Sequence, residues 1–128
     1  MQKFTFAAPL VLACAAAVAA QPAPAFKRTL LQQVDLSTAG REAVTARAEF
    51  APGGSVGRHT HFGEEIGYVI EGVLTVEING VSKEVKAGEA FAVPAGAPHN
   101  ATNASAGPVA ILATYIVEKG KPLATPAK

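Results

Sequence analysis

Residues 53–72, GGSVGRHTHFGEEIGYVIEG, hold two of the chain's three histidines, His59 and His61, separated by one residue. A pair of carboxylates, Glu64 and Glu65, follows within four positions. If the pair sits on a β-strand, the period of two sends both imidazoles to one face, with Cβ atoms about 7 Å apart. That spacing suits two ligands gripping one ion. Gly63 permits a local distortion that returns Glu65 to the same face. The third histidine, His99, follows the turn PAGAP, and a sheet that closes on itself can bring it opposite the first two. All the histidines of the protein then meet at one point.

The rest of the chain supplies such a sheet. AVTARAEF (43–50) alternates, with Val44, Ala46, Ala48 and Phe50 on one face and Thr45, Arg47 and Glu49 on the other. VLTVEI (73–78) alternates likewise and runs into Asn79-Gly80, a two-residue hairpin signal because both positions tolerate positive φ. FKRTLLQQVDL (26–36), EAFAV (89–93) and VAILATYIVE (109–118) read as further strands. ATNASAGP (101–108) reads as a polar loop and KGKPLATPAK (119–128) as a frayed tail. In IGYVIEG, Ile66, Tyr68 and Ile70 share one face and Val69 the other, so both faces need a cover. A partner chain or the N-terminal strand would provide it. Short strands with regular turns and no helical period beyond residue 20 predict an antiparallel all-β sandwich or small barrel.

Composition narrows the function classes. The chain has 128 residues, 49% hydrophobic and 16% charged, which fits one globular domain. Its formal charge is +1 with scattered basic residues and few aromatics, so neither a nucleic-acid footprint nor a base-stacking platform is visible. Residues 1–20, MQKFTFAAPLVLACAAAVAA, combine Lys3, an apolar run and small residues at the end, the pattern of a signal peptide for a periplasmic or secreted protein. Pro9 interrupts the run, and it is short for a membrane span. Cys14, the one cysteine, follows VLA in a loose lipobox. Lipidation is the weaker reading because the sequence after it stays apolar. Without Lys3 the basic residues number 10, equal to the acidic ones, which favours small-molecule or protein partners over polyanions. The expected organisation is a signal peptide at 1–20, a linker at 21–26, a barrel domain at 27–118 and a tail at 119–128.

Three imidazoles and a carboxylate suit a divalent transition metal (Fe, Mn, Ni, Cu or Zn) and not calcium, which takes oxygen ligands. Four protein ligands on a six-coordinate ion leave two positions for water or substrate.

With these residues in view, the sequence resembles the cupin superfamily. The first cupin motif is a glycine, five residues, His-x-His, three or four residues, Glu, six residues and Gly. Gly53, His59, His61, Glu65 and Gly72 match it, and the register selects Glu65 over Glu64. The second motif is matched by Gly88, Pro94, Gly96, His99 and Asn103. The 15 residues between, Val73 to Ala87, are a short spacer of the kind found in compact bacterial single-domain members. The resemblance implies a double-stranded β-helix, or jelly-roll barrel, of six to eight strands. It implies one metal inside, held by His59, His61, Glu65 and His99, with Asn103 bracing its loop. Phe50, Phe91 and Tyr115 are candidates to line the cavity, while Glu64 and Arg58 are expected to point outward. Cupins include metal-dependent dioxygenase-like enzymes and isomerases acting on small organic substrates. They also include non-catalytic sensors and carriers. Both readings stand, with a homodimer expected.

Overall fold

The structure, a computed structural model, describes residues 24–128. The expected signal peptide, Cys14 and residues 21–23 of the linker lie outside the described residues. Ten strands follow in order: β1 (Phe26–Asp35), β2 (Arg41–Phe50), β3 (His59–Thr60), β4 (Gly63–Glu71), β5 (Val73–Ile78), β6 (Val81–Lys86), β7 (Ala90–Val93), β8 (His99–Thr102), β9 (Val109–Glu118) and β10 (Thr125–Pro126). Among the described residues there is no helix. Every pairing is antiparallel, in two sheets ordered β1-β2-β9-β4-β7 and β10-β3-β8-β5-β6. This is the all-β antiparallel jelly roll that the sequence implied.

The core lies between the sheets. The alternating face of β2 packs inward as expected, and Phe50 is 1% exposed with the Phe26 ring 5.0 Å away. Leu74 and Val76 of β5 close against it from the other sheet. Each such buried side chain contributes about 1.5–3 kcal/mol. The β5–β6 hairpin turns at Asn79 (φ 50°) and Gly80 (φ 81°), the paired left-handed conformations that a two-residue loop of matching twist demands.

Four elements differ from the sequence reading. Phe26 opens β1 and does not belong to the linker. Asn100 to Thr102 continue β8, so the expected polar loop begins only after Thr102. Four small and polar residues carry too little periodicity to announce a strand. The tail is not frayed: Thr125 pairs with Thr60 and Pro126 with His59, and Leu123 packs against the core. Finally, β4 turns its less apolar face inward. Gly63, Glu65, Gly67 and Val69 are buried, while Ile66, Tyr68 and Ile70 stand 49%, 47% and 43% exposed. The strand β1 pairs edgewise with β2 and leaves that outer face uncovered.

Candidate metal centre

The corner between β3 and β4 builds the site. His59 and His61 do not share a long strand; β3 is two residues long, and the chain then crosses from one sheet to the other. Gly63 makes the crossing possible. Its Cα packs against the Ile116 carbonyl and the Val117 backbone of β9 so closely that any Cβ would overlap them. Two residues on, Glu65 points back to the interior from the opposite sheet. From the other side, β8 presents His99 as the direct cross-strand partner of His59. The turn before it depends on Gly96, held at φ 71° while its N–H donates to the His61 carbonyl over 3.1 Å. The one-residue alternation between His59 and His61 and the return of Glu65 therefore hold, though across two sheets and not along one strand.

All four side chains are buried, and one ligand atom from each lies within 4.8 Å of all the others. The histidine rings crowd together, with centroids 4.2–4.9 Å apart. Each ring is oriented by a backbone carbonyl at its Nδ1: Gly57 O at 2.7 Å for His59, Leu123 O at 2.5 Å for His61 and Ala97 O at 2.9 Å for His99. Each Nδ1–H donates there, which leaves every Nε2 as the free nitrogen. The Nε2 atoms of His61 and His99 each sit 3.1 Å from the same oxygen, Glu65 Oε2. With neutral rings these contacts would set acceptor against acceptor. They become favourable only when protons or a cation stand between them. Three imidazole nitrogens and a carboxylate oxygen converging in this way fit a borderline divalent ion.

The electrostatics point the same way. Burial pushes the His59 pKa down to about 4, outweighing its bond to Gly57, so this ring is neutral and able to ligate. Burial alone would raise Glu65, but the hydrogen bonds and charges of His61 and His99 hold it at about 2, an anion throughout the working range. For His99 burial lowers the pKa, yet the bonds to Glu65 and Ala97 leave it raised overall.

The other expected neighbours fall as follows. Tyr115 is the cross-strand partner of Glu65, stands edge-on to His61 at 4.7 Å, and is raised in pKa by burial and by the Glu65 charge. Tyr115, Phe50 and Phe91 all line the narrow cavity that reaches His59, Glu65 and His99. Asn103 forms no side-chain hydrogen bond to any of the four candidate ligands. It is fully buried, donates to Phe50 O and Gly107 O, and accepts from the Ser105 backbone and hydroxyl, bracing the loop as expected. Glu64 is exposed, and Arg58 pairs with Glu77 at 3.6 Å on the surface. Several participants escaped the sequence reading, among them the Gly57 and Ala97 carbonyls at His59 and His99. Leu123 supplies the carbonyl that orients His61, and Arg28 lines the cavity from β1. The alternation of Phe26 and Arg28 was the available signal for Arg28, since it places a cation on the face that carries the aromatic ring.

Residues 46–115, over half of the chain, match the family model described as Cupin domain. The HTH-type transcriptional regulator PuuR of Escherichia coli (strain K12) is 40% identical over 67 residues, covering 52% of this chain and 36% of that protein. Germin-like protein 1-1 of Oryza sativa subsp. japonica is 41% identical over 76 residues, 55% of this chain and 35% of that one. The matches thus span about a third of these relatives' length. Among solved structures, an oxalate oxidase in complex with the substrate analogue glycolate superposes with a TM-score of 0.64 at 28% identity, over 79% of this chain and 54% of that one. A protein from Thermotoga maritima described as a predicted oxalate decarboxylase gives 0.55 at 29% identity, over 60% and 80%. The motifs, the two sheets, the buried histidine–glutamate cluster and the family match agree, and the chain belongs to the cupin family.

Proposed function

We propose that this cupin holds one divalent transition metal through His59, His61, Glu65 and His99 and uses it as a dioxygenase-like oxidoreductase on a small organic substrate. The observation that carries this reading is the set of three Nδ1-anchored imidazoles gathered with Glu65, whose Oε2 lies 3.1 Å from the Nε2 atoms of His61 and His99, beside a narrow cavity. Such an ion supplies Lewis acidity and redox capacity in a water-poor site. The chain's own groups orient the ligands, keep Glu65 anionic and line the cavity with Phe50, Phe91 and Tyr115. The likeness to an oxalate oxidase and to a predicted oxalate decarboxylase supports metal-dependent chemistry on small molecules. The signal-peptide pattern at 1–20 supports a periplasmic or secreted protein on this reading. Ile66, Tyr68 and Ile70, with Leu112 beside them on β9, give a second copy of the chain an apolar sheet face to cover, which supports a homodimer.

The test is metal analysis of protein isolated from its own compartment, followed by oxygen uptake with enediols, catechols, thiols and small carboxylic acids. One equivalent of metal and metal-dependent oxygen consumption with a member of the panel are expected. A metal-loaded protein silent across the panel would favour the second reading, a non-catalytic binding or sensing barrel. That reading has its own support in the 40% identity to part of a transcriptional regulator.

A further inference from the structure

The cavity over the candidate metal centre contains one fixed cation that the ligand set does not explain. Arg28 projects from β1, the edge strand of its sheet, into the space lined also by His59, Glu65, His99 and Tyr115. Its guanidinium carbon lies 5.5 Å from the Phe26 ring centroid and 5.6 Å from that of Tyr115, so two aromatic rings hold it in place. Its Nε is buried and has no hydrogen-bond partner. Among the described residues Arg28 forms no ion pair. Arg28 also lines a second, more open hollow with Gly57, Arg58, Ala124 and Pro126. The two spaces share Phe26, Arg28, Val56 and His59, so Arg28 stands where the outer hollow meets the inner cavity.

A buried donor without an acceptor is costly, and a buried charge without a counter-charge more so. Glu65 is the nearby anion, but its Oε2 is already engaged by His61 and His99. Once a divalent cation is held there, the cavity has a surplus of positive charge beside a guanidinium whose Nε has no acceptor. A guanidinium fork matches a carboxylate with two parallel hydrogen bonds.

We propose that Arg28 is the anion-recognition residue of this site, and that the ligand is a small carboxylate held between its guanidinium and the metal position. This rests on the metal-site reading above and names its substrate class. The aromatic walls of Phe26 and Tyr115 fix the fork, and the narrowness of the cavity limits the ligand to a few heavy atoms. Arg58, at the outer rim, is partly neutralised by Glu77 and contributes attraction without a fixed contact.

The test is a titration of the Co(II)-loaded full chain, followed by the visible spectrum of the ion and by calorimetry. The probes are glycolate and its uncharged analogue ethylene glycol. Wild type should bind glycolate and discriminate strongly against ethylene glycol. Arg28→Gln should weaken glycolate by roughly tenfold or more, as expected for loss of a charge-assisted pair, while its Co(II) affinity stays within about twofold. Arg28→Lys keeps the charge but not the fork and should fall between the two. It also serves if Arg28→Gln does not fold. Equal glycolate affinity in wild type and either folded variant would overturn the assignment, as would failure of wild type to bind glycolate while holding Co(II). Loss of Co(II) together with glycolate in both variants would make Arg28 a structural support and overturn it as well. If wild type takes up no Co(II), the metal-site reading falls first and this inference with it.

Discussion

His59 and His99 are direct partners across the β3–β8 pair, with ring centroids 4.2 Å apart, although they come from opposite ends of the motif-bearing segment. This pairing makes the site a property of the closed fold and not of any one turn. His99→Ala removes a candidate ligand without disturbing the β5–β8 register, which runs from Ile78↔His99 to Thr75↔Thr102 through backbone bonds. Metal affinity should fall by more than the roughly 10–100-fold typical of losing a group that only orients a ligand. The rise in melting temperature on adding metal, a mass-action effect, should disappear. Elemental analysis and thermal denaturation with and without metal check both.

The metal-free protein should be most stable near pH 6.5. His59 has a folded pKa of about 4 against 6.5 when unfolded, so below pH 6.5 the unfolded chain binds more protons and stability falls toward pH 4. Glu65, held at about 2, adds a further loss as pH drops below its ordinary value of 4.5. His99 acts with the opposite sign. Its raised pKa contributes stability that is complete below pH 6.5 and is lost as pH climbs through the folded value. Urea midpoints of chelator-treated protein between pH 4 and 9 should trace this maximum. A midpoint that rises steadily to pH 9 would contradict the His99 assignment.

The candidate ligand set was legible because its spacing is rigid: His59, His61 and Glu65 are fixed by one corner, and Gly96 and His99 by one turn. The strand β9 and the Asn79-Gly80 hairpin were legible because local pattern and tertiary burial agree there. Where they disagree, the sequence misleads. Ile66, Tyr68 and Ile70 of β4 face outward, because the inward side must admit Glu65 and give Phe91 room over Gly67. The tail lacks any hydrophobic period, yet the short β10–β3 pairing, the Leu123 carbonyl and the Leu123 side chain dock it. Backbone acceptors carry no signature in side-chain chemistry, so the hold on His61 could not be read in advance.

That hold gives a third prediction. Leu123 O accepts from His61 Nδ1 at 2.5 Å, and β10 fixes the segment that carries it through Thr125↔Thr60 and Pro126↔His59. Deleting 122–128 frees the His61 ring and should weaken metal binding by about 10–100-fold. Leu123→Ala keeps the carbonyl and loses only partial packing, so its metal affinity should stay close to wild type. Competition titration with a chromophoric chelator separates the two variants. Equal affinity in the truncated and full-length chains would remove the tail from the site.

Asn103 separates fold from site in the opposite direction. Its amide uses both donors on Phe50 O and Gly107 O and its oxygen on two Ser105 groups, all in a fully buried position. Asn103→Ala leaves the Phe50 carbonyl of β2 without its side-chain donor and the loop before β9 without its brace. Unmet buried groups cost about 1–3 kcal/mol each, so a loss of about 2–4 kcal/mol is expected. Because β8 remains paired with β5 at His99, the folded fraction should still take up metal with wild-type affinity. Denaturant unfolding of the chelated protein beside a metal titration at low temperature measures the two effects apart. Weakened metal binding in fully folded Asn103→Ala would show that the loop reaches the ligands after all.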